Sequence, residues 1–292
     1  MLQFSLKNEK YRAILGLQTG AYAQDNYAVE APNMRIINQA KIGVSLDDKN
    51  TLWLDAGIMN SHIGWESAVS TENLTLTRSL AAENSPYFLT GVKLTYTPDE
   101  KWLFLTTVCN GWQRIQRLSG NSYLSFGTEL YYSANNNLSL NWSTLIGSEY
   151  PDDERRMRYF NDFYALYQLN EKIKIIAGFD IGFQQHRKNS SNYDYWLSPV
   201  LITQFAINDK WKTAVRFEYY QDKEQIIIST GNNNNFQTNG FSLNFDYLPI
   251  STLVCRLEGR WFGSNYDIYP RDDAFTDNDF FITASIAVKV NN

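Results

Sequence analysis

The stretch "TLVCRLEGRW" (residues 252–261) alternates without a break. Leu253, Cys255, Leu257, Gly259 and Trp261 take one face, and Val254, Arg256, Glu258 and Arg260 take the other. A period of two is the mark of a β-strand. The charged face decides what kind of strand. Burying such a row in a dry core would be costly. A strand with its apolar side toward lipid and its polar side toward a water-filled lumen has this pattern as a matter of course.

Three other stretches repeat it. In "KIKIIAGFDIGF" (172–183), Ile173, Ile175, Ala177, Phe179 and Ile181 oppose Lys174, Ile176, Gly178, Asp180 and Gly182. In "WKTAVRFEYY" (211–220), Trp211, Val215 and Phe217 oppose Lys212, Arg216 and Glu218. "FFITASIAVKV" (280–290) sets Ile282, Ile286 and Val288 against Thr283, Ser285 and Lys289. These runs exceed the usual strand of about 5–6 residues. They suit a tilted strand of about 9–11 residues crossing a bilayer. The same polar face is expected to carry Asp55, Lys93, Glu129 and Asp246 elsewhere.

The connections between strands support this reading. Short ones, "KNEK" (7–10), "DDKN" (47–50), "PDEK" (98–101), "ANNN" (134–137), "NEK" (170–172), "NDK" (208–210) and "LPIS" (248–251), alternate with long ones near 23–35, 61–86, 113–121, 150–156, 187–193, 223–236 and 263–277. Outer-membrane barrels have short periplasmic turns and longer external loops. Tyr96, Trp102, Tyr132, Tyr167, Phe205, Trp211 and Tyr247 sit close to short turns, where a membrane-interface girdle of aromatics is expected.

The fold class is therefore all-β: one transmembrane, antiparallel up-and-down barrel over residues 1–292. Fifteen strands are placed near 2–7, 11–22, 36–47, 51–59, 87–97, 101–112, 122–133, 137–149, 156–168, 172–186, 193–206, 210–222, 237–248, 251–262 and 278–290. Bacterial barrels have even strand numbers. With the last strand running inward to Asn292, the first also runs inward, so a sixteenth strand and a signal peptide are expected ahead of Met1. The localisation that follows is the outer membrane of a Gram-negative bacterium, with lipid as the surrounding partner.

Other classes find little support. The net charge of −5 argues against a nucleic-acid partner, which calls for a basic face. No His/Cys group has metal-ligand spacing and no phosphate-binding loop occurs, so neither metal nor cofactor is expected. The acidic stretches "YPDDERR" (150–156) and "YPRDDAFTDND" (269–279) lack the spacing of a calcium loop and read as solvated. Cys109 and Cys255 read as small apolar residues rather than a disulfide. A lipid hydrolase would need more than the neighbours Ser61 and His62, because nucleophile and base must meet in space. No catalytic residue is assigned.

Three segments, "LWLDAGIMNSHIGWESA" (52–68), "LTRSLAAENSPYF" (76–88) and "GVKLTY" (91–96), resemble a family of Bacteroidetes outer-membrane proteins, the OmpL-like β-barrel porins of family 2. The resemblance implies a porin-like role and brings no catalytic residues or named substrate. It leads to the expectation of passive diffusion of small hydrophilic solutes or ions. The alternatives are a plugged barrel that docks surface proteins and, behind it, a barrel-embedded hydrolase. A homo-oligomer is compatible with either leading reading.

The charges on the polar faces, Asp180, Arg216, Glu218, Arg256, Glu258 and Arg260, could tune selectivity or form a network that stiffens the wall. The longest connection, "SHIGWESAVSTENLTLTRSLAAENSP" (61–86), becomes the third external loop once the missing strand is counted. By analogy with general porins it is expected to fold into the lumen, with Glu66, Glu72, Arg78 and Glu83 at a constriction and a helical turn at "SLAAE". The alternative is a cap packed over the rim.

Overall fold

A computed structural model describes residues 1–290. Asn291 and Asn292, where the inward end of the chain is expected, lie outside the described residues. Fifteen strands form one antiparallel meander: β1 (Leu2–Lys7), β2 (Tyr11–Leu17), β3 (Ile37–Ser45), β4 (Leu52–Asn60), β5 (Phe88–Tyr96), β6 (Trp102–Cys109), β7 (Ser125–Asn135), β8 (Leu138–Gly147), β9 (Arg158–Asn170), β10 (Ile173–Gln185), β11 (Tyr193–Ala206), β12 (Trp211–Asp222), β13 (Phe236–Ile250), β14 (Leu253–Gly263) and, after a small hairpin, β17 (Asn278–Val288). Each pairs with its neighbour in sequence. Among the described residues, the edge strands β1 and β17 are each bonded on one side only. The sixteenth strand expected ahead of Met1 falls outside the sequence.

Five of the seven short turns share one device. Asp47, Asp99, Asn135, Asn170 and Asn208 each turn a side-chain oxygen back onto two backbone N–H groups further along the chain. Asn208 Oδ1, for example, accepts from Lys210 N at 2.9 Å and Trp211 N at 3.0 Å. The Asx side chain stands in for a backbone acceptor and fixes a tight reversal. "NEK" and "NDK" are therefore complete hairpin instructions.

Burial inverts the pattern of a soluble protein. Phe217, Leu257 and Trp261 are exposed, while Arg216, Glu258 and Arg260 on the opposite face are buried. The outward aromatics expected at the membrane interface lie in rows near the short turns. Trp102 stacks on Tyr132 at 4.2 Å and Trp211 on Tyr247 at 4.5 Å, each pair directly opposed across two strands. Tyr96 is stacked on Phe104, and Tyr167 is exposed on β9.

Most strand ends fall within three residues of the sequence reading, and two differences are larger. The strand expected over 11–22 stops at Leu17, and α1 (Ala21–Asn26) follows. Gln18 N still donates to Ile36 O at 2.8 Å, but Gly20, at φ +122°, turns the chain out of the ladder. The long connection 263–277 contains a further hairpin, β15 (Tyr269–Arg271) with β16 (Ala274–Thr276). Its polar sequence lacks the long apolar alternation that marks a wall strand.

The exposed apolar face carries a testable cost. Leu243 lies at the middle of β13 and points outward. Leu243→Arg should lower folding stability in lipid vesicles by about 2–4 kcal/mol, read from denaturant titration, if that face lies in hydrocarbon.

Candidate functional site

The segment 61–86 is drawn in against the polar face of the sheet. Its base is closed by Ser61 N donating to Tyr87 O at 2.9 Å. The first residues cross four strands in turn. The His62 ring lies over Gly127 of β7, and its Nε2 is 2.9 Å from Thr144 O of β8, so that nitrogen carries the proton. Ser143 Oγ donates to His62 O at 2.8 Å. Gly64, at φ +88°, donates its N–H to Asp162 of β9 at 3.0 Å. The Trp65 ring fills the space over Gly178 of β10, where any Cβ would overlap it, and meets Tyr164 edge-on at 5.9 Å. Glycine on the inward face thus opens two seats for the rings of the loop.

The second limb is held by charge. Arg216, Glu218, Glu258 and Arg260 form a buried cluster on β12 and β14: Arg216 contacts Glu218 at 3.1 Å and Glu258 at 2.9 Å, and Arg260 contacts Glu218 at 2.7 Å. Every member also binds the loop. Arg216 donates to Thr75 Oγ1 at 3.0 Å and Thr77 O at 2.7 Å. Glu258 accepts from Thr77 N at 2.6 Å, Glu218 from Leu80 N at 2.7 Å, and Arg260 donates to Arg78 O at 2.9 Å. Nearby, Arg256 is held by Asp246 at 2.8 Å and donates to Ser70 O and Asn73 O at 2.6 and 3.0 Å. Buried ion pairs repay their desolvation only when the remaining donors and acceptors are filled. Here backbone and hydroxyl groups of the loop fill most of them, and Arg216 Nε is left with only its 3.1 Å approach to Glu218.

Within the segment, Glu66 takes bonds from the Ser79 N–H and hydroxyl, and Ser79 caps the short helix α2 (Leu80–Glu83). Arg78 pairs with Glu83 at 3.0 Å and lies 3.8 Å over the Tyr22 ring and 5.2 Å from the Tyr87 ring. Burial, and then the Glu83 carboxylate, push the Tyr22 and Tyr87 hydroxyls far above the ordinary tyrosine range, so both stay neutral. Arg78 therefore touches β14 through its carbonyl and the connection after β2 through its guanidinium. That joint contact requires the sheet to curl around the segment.

The sequence-named residues separate accordingly. Arg216, Glu218, Arg256, Glu258 and Arg260 bind the loop rather than face open space. Asp180 is buried directly across from Asp162. Glu66, Arg78 and Glu83 bond inside the segment or its neighbours, whereas Glu72 is exposed toward the inner cavities. Ser61 Oγ accepts from Ile63 N, and His62 is turned to Thr144, so these neighbours form no nucleophile–base pair. Asp162, Gly127 and Gly178 were not singled out from sequence. Their inward position follows from alternation, but nothing local says that a loop docks there.

Space remains on the other side. A cavity of about 230 Å³ lies toward the long loops, against Gln18, Asn38, Asn60 and Tyr87. A second, of about 290 Å³, lies toward the short turns, against Arg12, Lys93, Thr95 and Glu129. Both are lined by Ser61 and Gly64, so they flank the start of the loop. On this wall Arg12 reaches across β3 to pair with Asp55 of β4, through space that a Cβ on Gly43 would occupy.

A family model described as "Putative beta-barrel porin-2, OmpL-like" matches residues 1–290. Among solved structures, the chain is similar to an anion-selective porin from Comamonas acidovorans at 8% identity and TM-score 0.63, over 98% of this chain and 86% of that one. It is similar to the outer membrane channel DcaP of Acinetobacter baumannii at 10% identity and TM-score 0.63, over 98% and 83%. OmpT of Vibrio cholerae follows at 10% identity and TM-score 0.59, over 98% and 86%. No curated protein sequence matches.

Removing one charge from the cluster should uncover the others. Arg216→Ala should destabilise the folded protein by about 3–5 kcal/mol in denaturant titrations. Gly178→Leu should evict Trp65, seen as a red-shifted tryptophan emission and faster proteolysis within residues 61–86.

Proposed function

The chain belongs to the OmpL-like β-barrel porin-2 family, and from that premise we propose that it lets small hydrophilic solutes or ions diffuse passively across the outer membrane of a Gram-negative bacterium. The observation that carries the proposal is the polar inward face with a segment bound to one side of it. Residues 61–86 are anchored to β7–β14, and the two cavities that flank the start of the loop lie beside β2–β6. Solutes pass between the start of the loop and that wall, driven by their own gradient.

In this reading the loop narrows the lumen without carrying chemistry. Glu66, Arg78 and Glu83 act as braces that hold its shape, and Glu72 is the one constriction candidate left facing solvent. A segment fixed by buried ion pairs stays in place during permeation, so the aperture has a set size. Diffusion through it needs no cofactor and no energy source.

Reconstituted full-length protein should give single-channel steps in planar bilayers, and deleting residues 66–80 should enlarge them. Folded protein with no steps at all would sink the channel reading and favour a plugged barrel that docks a surface partner. Steps of unchanged size after the deletion would place the narrowing elsewhere.

A further inference from the structure

The charges of the inward face are sorted by height. In the half nearest the short turns, the two arginines are spent on carboxylates. Asp55 is held by Arg12, and Asp246 by Arg256. The lysines there are not. Among the described residues Lys41, Lys93, Lys174, Lys212 and Lys289 enter no ion pair, and the carboxylates left without one beside them are Glu66, Glu72 and Glu129.

These lysines surround the space below the loop. Lys93 lies opposite Asp55 in register, within electrostatic range of Lys41, Arg12 and Glu129, and lines the cavity of about 290 Å³. On the opposite wall, Lys174, Lys212 and Lys289 line a cavity of about 260 Å³ against the tip of the loop at Thr71–Leu74. Lys174 also lines its neighbour of about 300 Å³. Five ammonium groups against three carboxylates outside ion pairs give this inner vestibule a positive excess, in a chain whose net charge is −5. Asp162 and Asp180 lie further from the short turns on the same inward face, and most of the other acids lie on the external loops and the short turns.

We infer that the short-turn half of the lumen is an anion-selective vestibule, with Lys41 and Lys93 on one wall and Lys174 and Lys212 on the other as its selectivity-determining residues. The inference rests on the passive-channel reading and names its solute class as small anions, the carboxylate and phosphate kind included. A confined space with low-dielectric walls focuses the field of fixed charges and raises the local concentration of counter-ions. Lysine suits the task, because a flexible, strongly hydrated ammonium attracts an anion without gripping it bidentately. Weak attraction at several sites lets the solute leave as readily as it enters.

Chloride is the probe. With the full chain in planar bilayers under a potassium chloride gradient, the reversal potential should show chloride more permeant than potassium by about threefold. Lys41→Gln, Lys93→Gln, Lys174→Gln and Lys212→Gln combined should bring that ratio to unity or below, while Glu129→Gln should raise it. Heat-dependent gel migration confirms that each variant is folded. Clear channel steps with potassium the more permeant ion would overturn the inference and leave the channel reading intact. So would a ratio indifferent to the four substitutions. Folded protein without steps would overturn the channel reading, and this inference with it.

Discussion

Four charges on β12 and β14, Arg216, Glu218, Glu258 and Arg260, are costly to bury unless their donors and acceptors find partners. The wall alone does not supply enough of them. Most of the remaining valences are filled by the backbone and hydroxyl groups of residues 75–80, so wall and loop are each incomplete without the other. The rest of the interior depends on this. With the second limb pinned to β12 and β14, Ser61–Trp65 must cross β7–β10 to reach it, and the free space is left beside β2–β6. The position of the passage is thus a by-product of where the arginines sit.

Much of this fold was legible in the sequence, and for local reasons. Alternation at 172–183, 211–220 and 252–261 gave the strands and their faces, because the side-chain period of a strand is two. The Asx residues that close "NEK" and "NDK" act over two or three residues, so these turns could be read directly. The end of β2 was not legible, since Gln18 keeps one ladder bond and only the backbone at Gly20 departs. The β15–β16 hairpin was missed because its six residues carry no apolar face of their own.

The site was legible as a set of residues and not as an arrangement. Arg216, Arg256, Glu258 and Arg260 could be placed on the inward face, but whether they tune passage or brace the wall turned on partners more than a hundred residues away. Thr77, which meets Arg216 and Glu258, has no local signature. The glycines at 127 and 178 illustrate the same limit. A glycine on an inward face says that something approaches closely, and only the fold says that it is His62 and Trp65. The unpaired lysines were visible as residues, yet only the fold shows that the arginines, and not they, take the carboxylates Asp55 and Asp246.

The sequence distances within the cluster have a consequence for assembly. Thr77 lies 139 residues before Arg216 and 181 before Glu258. Contacts of such span form late, because the chain entropy of closing them is lost before the contact returns anything. While β4 and β5 pair, their connecting loop has nothing to bind, since its partners lie on strands still to be added. Its first limb can seat on β7–β10, but the second is fastened only when the C-terminal third of the wall arrives. The width of the opening is therefore among the last features of the molecule to be set, and a chain that stalls before β14 would have most of its wall and a second limb lacking half of its charged anchors.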